Sequence, residues 1–348
     1  MSKKRVVIDA RMIGAVGHGI GNYVLDLAAA LQERDLPWEN FYLVAKGCPN
    51  PLLKSLPHHE SRVPFLHRLE PWLLARELSS LKPSLFHSPS FASLAFYPCP
   101  HIQTIHDLIH LTYGGFFQRL YYRALVKPSL RRAVEVHTVS ESSRVELAAW
   151  AGGDLPLRVA PNAVVPEPAG NSGLLANFGL EKENYFFCLS NPKPHKNVEM
   201  LLKAHASARA KGECLPLVVN VPGPELPGVV RISSPTSEEI AALYAFARAY
   251  YFPSLEEGFG RSPLEAALQG TRPVVSAIPA HKELFKFPEV EFLNPRDEIA
   301  WTEHMLRSSR EAKLKVPASS QQWIADTYSR SRLGEAVAGA YRRALAIR

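Results

Sequence analysis

Tyr250-Tyr-Phe-Pro253-Ser-Leu-Glu-Glu257-Gly-Phe-Gly260-Arg-Ser-Pro-Leu-Glu265-Ala-Ala runs from an apolar segment through a glycine turn into a helix-forming segment. That order, strand then loop then helix, is the repeating unit of an α/β sheet. Two carboxylates, Glu257 and Glu265, stand eight positions apart, with Gly258, Phe259 and Gly260 between them. Ser262 and Glu265 have the spacing of a capping box, with Pro263 at the first helical position. A cap accounts for Glu265 locally but leaves Glu257 and the glycine turn unexplained. A carboxylate accepts hydrogen bonds from a pair of sugar hydroxyls, and glycine amides can approach a hexose closely.

The same pattern extends in both directions. Downstream, Pro273–Ser276 reads as a strand, and three helical stretches close the chain, the last carrying Leu333, Val337, Ala340, Tyr341 and Leu345. Upstream lie strands at Tyr185–Leu189, Leu217–Val219 and Val229–Ile232, with a capping box from Thr236 to Glu239. Before them, Val165-Pro-Glu-Pro-Ala-Gly-Asn-Ser-Gly173 has the composition of a linker. The first half repeats the alternation, with strands at Val6–Ile8, Phe41–Ala45, Leu85–His87, Ile102–Ile105, Val136–Val139 and Arg158–Ala160. The expected organisation is a domain over 1–165, a second over 180–330, and a final helix over 331–348. The length of 348 residues fits two domains.

Ligands of open α/β sheets bind beyond the carboxyl ends of the strands, so the loops there are the place to look for chemistry. Gly17-His-Gly-Ile-Gly-Asn22 lies between the first strand and its helix. Gly19 and Gly21 would let amides approach a phosphate, although Asn22 stands where a dinucleotide fingerprint needs its third glycine; the simpler reading is a loop with Asn22 as N-cap. His106, in Thr104-Ile-His-Asp-Leu-Ile-His110, ends a strand and can exchange a proton with a sugar hydroxyl or a phosphate. Lys196, in Ser190-Asn-Pro-Lys-Pro-His-Lys-Asn197, stands where a helix begins. A cation there is unfavourable unless an anion joins it.

Composition narrows the classes. Hydrophobic residues make up 46% and charged residues 21%, which excludes a disordered chain, a collagen and a coiled coil. The four cysteines form no CxxC pair and support neither a zinc site nor a disulfide framework, so no metal is expected. The longest stretch without Asp, Glu, Lys or Arg, Pro83–His106, contains four prolines and cannot be one spanning helix. The apolar run at Val6 ends at Asp9, too soon for a signal peptide, so a cytoplasmic location is expected. A net charge of +7 favours anionic partners, with basic runs at Arg119–Arg132 and Arg342–Arg348. Neither run belongs to a nucleic-acid motif, and no nucleic acid is expected; an anionic membrane at the inner face is a candidate contact.

The spacing of Glu257 and Glu265 within Glu-Gly-Phe-Gly-x-x-Pro-Leu-Glu-Ala resembles family 4 of the retaining glycosyltransferases. Gly19-Ile-Gly21-Asn-Tyr-Val, His106-Asp-Leu-Ile, Thr138-Val-Ser-Glu-Ser-Ser-Arg, Val159-Ala-Pro-Asn-Ala and His195-Lys-Asn follow in the family's order. The resemblance implies a GT-B fold: two Rossmann-like domains around a central cleft, the last helix crossing back to the first domain. It implies metal-independent transfer of a hexose from a GDP- or UDP-linked sugar to a sugar or lipid-linked acceptor, with retained configuration and no further cofactor. Carried over, Glu257 would hold the donor sugar, Glu265 the ribose, Lys196 the diphosphate, and Gly258–Gly260 the hexose. Gly19 and Gly21 would approach the donor phosphate or the acceptor, and His106 the transferred sugar. His106-Asp-Leu-Ile is similar to mannosyltransferases of surface-polysaccharide assembly, which makes GDP-mannose the first donor to try. Two features depart from the family: Asn191 and Pro192 stand where many members have an arginine, and Arg261 replaces an apolar residue. They keep two alternatives open, a non-catalytic nucleotide- or sugar-binding protein on the same scaffold and another GT-B enzyme such as a sugar-nucleotide epimerase.

Overall fold

The computed structural model describes residues 3–14, 19–168 and 170–346. Gly17 and His18 of the glycine loop, Ala169 of the expected linker and the last two residues lie outside them. The chain divides into two compact units, Met1–Ala163 with Tyr328–Arg348, and Val164–Thr327. The first boundary falls at Ala163, before the proline-rich stretch, and the return to the first unit begins at Tyr328.

The first unit is built on seven parallel strands: β1 (Lys4–Asp9), β2 (Trp38–Ala45), β3 (His58–Ser61), β4 (Leu85–Ser88), β5 (His101–Ile105), β6 (Glu135–Thr138) and β7 (Leu157–Val159). Their order is β3-β2-β1-β4-β5-β6-β7. The second has six parallel strands: β8 (Phe186–Cys188), β9 (Leu217–Val219), β10 (Val229–Arg231), β11 (Ala249–Phe252), β12 (Pro273–Ser276) and β13 (Glu291–Leu293), ordered β10-β9-β8-β11-β12-β13. Each order reverses once, between β1 and β4 in one sheet and between β8 and β11 in the other. That is the doubly wound, Rossmann-like arrangement, and a reversal opens a crevice at the carboxyl ends of the two strands.

Central strands are buried on both faces and read as continuous apolar runs. Val6, Val7 and Ile8 are fully buried, as are Leu217, Val218 and Val219. Two edge strands, β3 and β13, were not expected from sequence. His58-His-Glu-Ser61 and Glu291-Phe-Leu293 are only partly buried, so they need no long apolar run.

The final helix, Arg330–Ala346, buries Leu333, Val337, Ala340, Tyr341 and Leu345 in the core around β1 and β2. The residues recur at three- and four-residue intervals, which puts them on one face. Polar ties fix its position. Tyr341 Oη and His87 Nδ1 are 2.6 Å apart, and Arg343 donates to both oxygens of Glu135 at 2.8 and 3.0 Å.

The proline-rich stretch after Ala163 carries no helix or strand among its described residues, and a 3-10 turn follows over Ser172–Phe178. Gly170 is required there, because a Cβ would stand 2.6 Å from Ala242 Cα. The Thr236–Glu239 capping box forms as expected, at the start of the helix Ser237–Phe246.

Candidate functional site

In the second unit, the reversal between β8 and β11 places two loops side by side. The loop after β8 carries Lys196, and the loop after β11 carries Glu257. Lys196 closes a 3-10 turn over Pro194–Lys196, and the helix proper begins at Val198. Asn197 joins the two in the left-handed conformation, with φ 55°. Its side chain donates to Pro253 O at 3.1 Å and to Pro295 O at 2.8 Å. The backbone of Leu255 also donates to His195 O at 2.7 Å. These bonds lock the two loops together, so the distance between their side chains is set by backbone.

Lys196 Nζ donates to Glu257 Oε1 at 2.5 Å and lies 5.1 Å from the centre of the Phe252 ring. Burial works against the charge of Glu257, but the Lys196 ammonium outweighs it and holds the carboxyl below its usual range. The anion that a lysine near a helix start calls for is therefore supplied in part by Glu257. An ammonium has three donors and a carboxylate about four acceptor positions, so the pair retains capacity for an anion on one side and hydroxyls on the other.

Gly260 follows at φ 96° and opens the helix Arg261–Leu268. That backbone angle calls for glycine, while a Cβ there would be in ordinary contact with His281 and Phe285 at 3.4 Å. This start corrects the expected capping box. Gly260 is the N-cap and offers no side-chain bond, Ser262 is the second helical residue, and Pro263 the third. Glu265 is engaged elsewhere: Oε1 accepts from Arg261 Nε at 2.6 Å and Oε2 from Tyr244 Oη at 3.3 Å. Arg261, which departs from the family pattern, is one turn from Glu265 and captures it. Phe259, inside the turn, is buried.

Ser190 Oγ, Ser276 Oγ and His281 Nε2 are buried side-chain atoms with no hydrogen-bond partner. Ser190 and His281 follow β8 and β12, the strands on either side of β11, and Ser276 is the last residue of β12. Buried polar atoms are nearly always paired, and these three are exceptions; others, such as His137 Nδ1 and His205 Nδ1, lie elsewhere in the molecule. His281 Nδ1 bonds to Ser276 O at 2.8 Å, and a carbonyl can only accept, so Nε2 carries the lone pair. Burial brings the pKa of this ring down to about 4, with Glu257 pulling the other way. His281 escaped the sequence reading. Its signal was available: it follows the strand Pro273–Ser276 at the start of the next helix, the same position used to select Lys196.

The first unit holds the other expected residues. The helix Gly19–Gln32 begins at Gly19, so Asn22 lies inside it and is not its N-cap. Gly19 and Gly21 are in its first turn. Tyr23, in the next, packs edge-on against His106 with ring centres 4.9 Å apart. His106 follows β5 as expected, and its Nε2 is 3.0 Å from Pro89 O. Nearby, Arg11 forms a buried ion cluster at the end of β1, donating to both oxygens of Asp9 at 2.9 and 2.7 Å and to Glu70. No sequence spacing pointed to that cluster. Among the described residues no three His, Cys, Asp or Glu side chains gather in a way that would hold a metal. No described helix is long and apolar enough to cross a membrane.

Known proteins carry the same two halves. The profile of Glycosyltransferase Family 4 matches residues 17–168, and that of Glycosyl transferases group 1 matches residues 183–310. The chain belongs to the family 4 glycosyltransferases. It is 29% identical over 213 residues to the O-antigen chain mannosyltransferase RfbU of Salmonella typhimurium, covering 57% of this chain and 58% of that one. It is 26% identical over 230 residues to the serotype-specific mannosyltransferase WbdA of Escherichia coli, covering 58% of this chain and 28% of WbdA. The matches thus span less than two thirds of either relative. Among solved structures, the sucrose-phosphate synthase of Thermosynechococcus elongatus superposes with a TM-score of 0.74 at 17% identity, over 99% of this chain and all of that one. WaaG, a glycosyltransferase involved in lipopolysaccharide biosynthesis, superposes with a TM-score of 0.69 at 14% identity, over 96% and 98% of the two chains. At such identities these two superpositions establish the GT-B fold of this family 4 member.

Proposed function

We propose that this family 4 glycosyltransferase is a retaining, metal-independent hexosyltransferase that uses a nucleotide-linked sugar. The observation that carries this reading is the Lys196–Glu257 pair beside the Gly258–Gly260 turn, at the strand-order reversal of the second sheet. Lys196 binds the donor diphosphate. As the bond from the anomeric carbon to phosphate breaks, negative charge grows on the departing oxygen, and the ammonium stabilises it. The acceptor oxygen attacks from the same face, and its proton passes to that phosphate oxygen. Glu257 accepts from donor-sugar hydroxyls, Glu265 from the ribose, and His106 acts at the transferred sugar. No separate cofactor enters this scheme.

The mannosyltransferase relatives favour mannose as the sugar, a GDP-linked donor as the first to test, and an acceptor from polysaccharide or glycolipid assembly. The test is calorimetry with GDP, UDP, GDP-mannose and UDP-glucose, followed by nucleotide release with oligosaccharide and lipid-linked acceptors in the presence of a chelator. Product NMR reads the anomeric configuration. Inversion, or activity abolished by the chelator, overturns the mechanism. Tight binding with no turnover on any acceptor would mark a binding protein, and conversion of the sugar nucleotide with no acceptor an epimerase.

A further inference from the structure

The Lys196–Glu257 pair is largely withdrawn from solvent, with the Lys196 side chain 16% exposed and that of Glu257 10%. Among the described residues, Lys196 is the one cation in ion-pair contact with Glu257. His281 packs against the same Phe252 ring that the ammonium approaches, but burial brings its pKa down to about 4, so at neutral pH it adds no second cation. The two loops are not free to draw apart. Asn197 holds Pro253 O and Pro295 O, and the Leu255 amide holds His195 O. Only the side chains can rearrange when a ligand arrives.

A buried carboxylate that loses its cation is strongly destabilised. An anion that binds Lys196 therefore either draws the ammonium away from Glu257 or brings a second negative charge up to the same ammonium. A sugar nucleotide offsets this effect, because its sugar hydroxyls can donate to the carboxylate. A bare nucleoside diphosphate has no sugar to place there. Its terminal phosphate also carries, at neutral pH, nearly one negative charge more than the same phosphate esterified to a sugar. Two like charges around one ammonium oppose each other, and the opposition is stronger away from water.

We propose that Glu257 is a product-release element: its carboxylate competes with the nucleoside diphosphate for Lys196 and recovers the ammonium once the sugar has been transferred. The inference rests on the reading of Lys196 as the diphosphate contact and Glu257 as the sugar contact, and adds to it how that site empties. Removing the charge of Glu257 should thus tighten the bare diphosphate, the opposite of what loss of a binding residue ordinarily does.

The test is calorimetry on the full chain with GDP and GDP-mannose, and with UDP and UDP-glucose, for the wild type, Lys196→Ala and Glu257→Gln. Glu257→Gln is expected to bind the bare diphosphate at least roughly tenfold more tightly than the wild type, and the sugar nucleotide more weakly. In the nucleotide-release assay, the diphosphate should inhibit this variant at a correspondingly lower concentration. A second measurement needs no variant. The methyl ester of the terminal phosphate lacks the extra charge and also lacks the sugar, so the wild type should bind it more tightly than the free diphosphate and less tightly than the sugar nucleotide. A folded Glu257→Gln protein that binds the diphosphate no more tightly than the wild type overturns the inference. So does a methyl ester that binds the wild type no better than the free diphosphate. If Lys196→Ala weakens the diphosphate while either of these results is found, the reading of the site stands and the release role alone falls. If Lys196→Ala leaves the affinity unchanged, the reading itself fails, and the release role with it.

Discussion

Glu257 takes one of the three donors of Lys196, and this sets what a substitution does. Lys196→Ala is expected to weaken nucleoside-diphosphate binding by about 1.5–3 kcal/mol, the scale of a hydrogen bond to a charged group. Calorimetry on the folded variant checks it; unchanged affinity removes Lys196 from the diphosphate site. Glu257→Gln should abolish the preference for an intact sugar nucleotide over the bare diphosphate. Glu265 behaves differently, because it is held by Arg261 and Tyr244 and closes no capping box. Glu265→Ala should weaken both ligands alike and lower stability by only about 0.5 kcal/mol, as for an intrahelical ion pair. A loss confined to the sugar-bearing ligand would reverse the roles of the two carboxylates.

The final helix shows most clearly what a single element contributes. Leu333 is buried against the core of β1 and β2, so Leu333→Ala should cost about 2–4 kcal/mol, read as a lower denaturant midpoint at unchanged slope. Its other anchor responds to acid. Burial opposes the charge of Glu135, but His137 and Arg343 prevail and hold its pKa at about 2, below the ordinary 4.5. A depressed carboxyl pKa contributes stability that is complete above about pH 4.5 and disappears as pH falls toward 2. Glu135→Gln should therefore melt below the wild type at neutral pH, and the gap should close near pH 2. A gap that stays constant with pH would mean that Glu135 acts through packing and not through its charge.

For the molecule as a whole, buried histidines set the response to mild acid. Burial lowers His87 far below 6.5, His101 to about 3, and His281 and His304 to about 4. The folded protein keeps them neutral while the unfolded chain protonates near pH 6.5. Their contribution is complete above that pH and falls as pH drops through the window between 6.5 and the folded values, by about 1 kcal/mol each near pH 5.5. Melting temperature should thus decline from pH 7 to 5, and unfolding at pH 5.5 should take up protons. A flat profile over that range would show that these rings bind protons in the folded state.

Much of this protein was legible in its sequence because the features concerned are local. Apolar runs such as Val6–Ile8 and Leu217–Val219 identify buried parallel strands, and Leu333 to Leu345 identify a one-faced helix, because burial must follow backbone periodicity. The glycine turn after Glu257 and the Thr236 cap are likewise short-range chemistry. Tertiary structure decided what depends on partners distant in the chain. Edge strands β3 and β13 exist because a neighbouring strand completes their hydrogen bonds, whatever their side chains. Glu265 is drawn from its local cap by Arg261, four residues back, together with Tyr244, 21 residues back, and only the fold brings Tyr244 to it. The 61-residue separation between Lys196 and Glu257 closed to 2.5 Å because the strand order reverses between β8 and β11. His281 joined their surroundings because β12 is the next strand along that sheet.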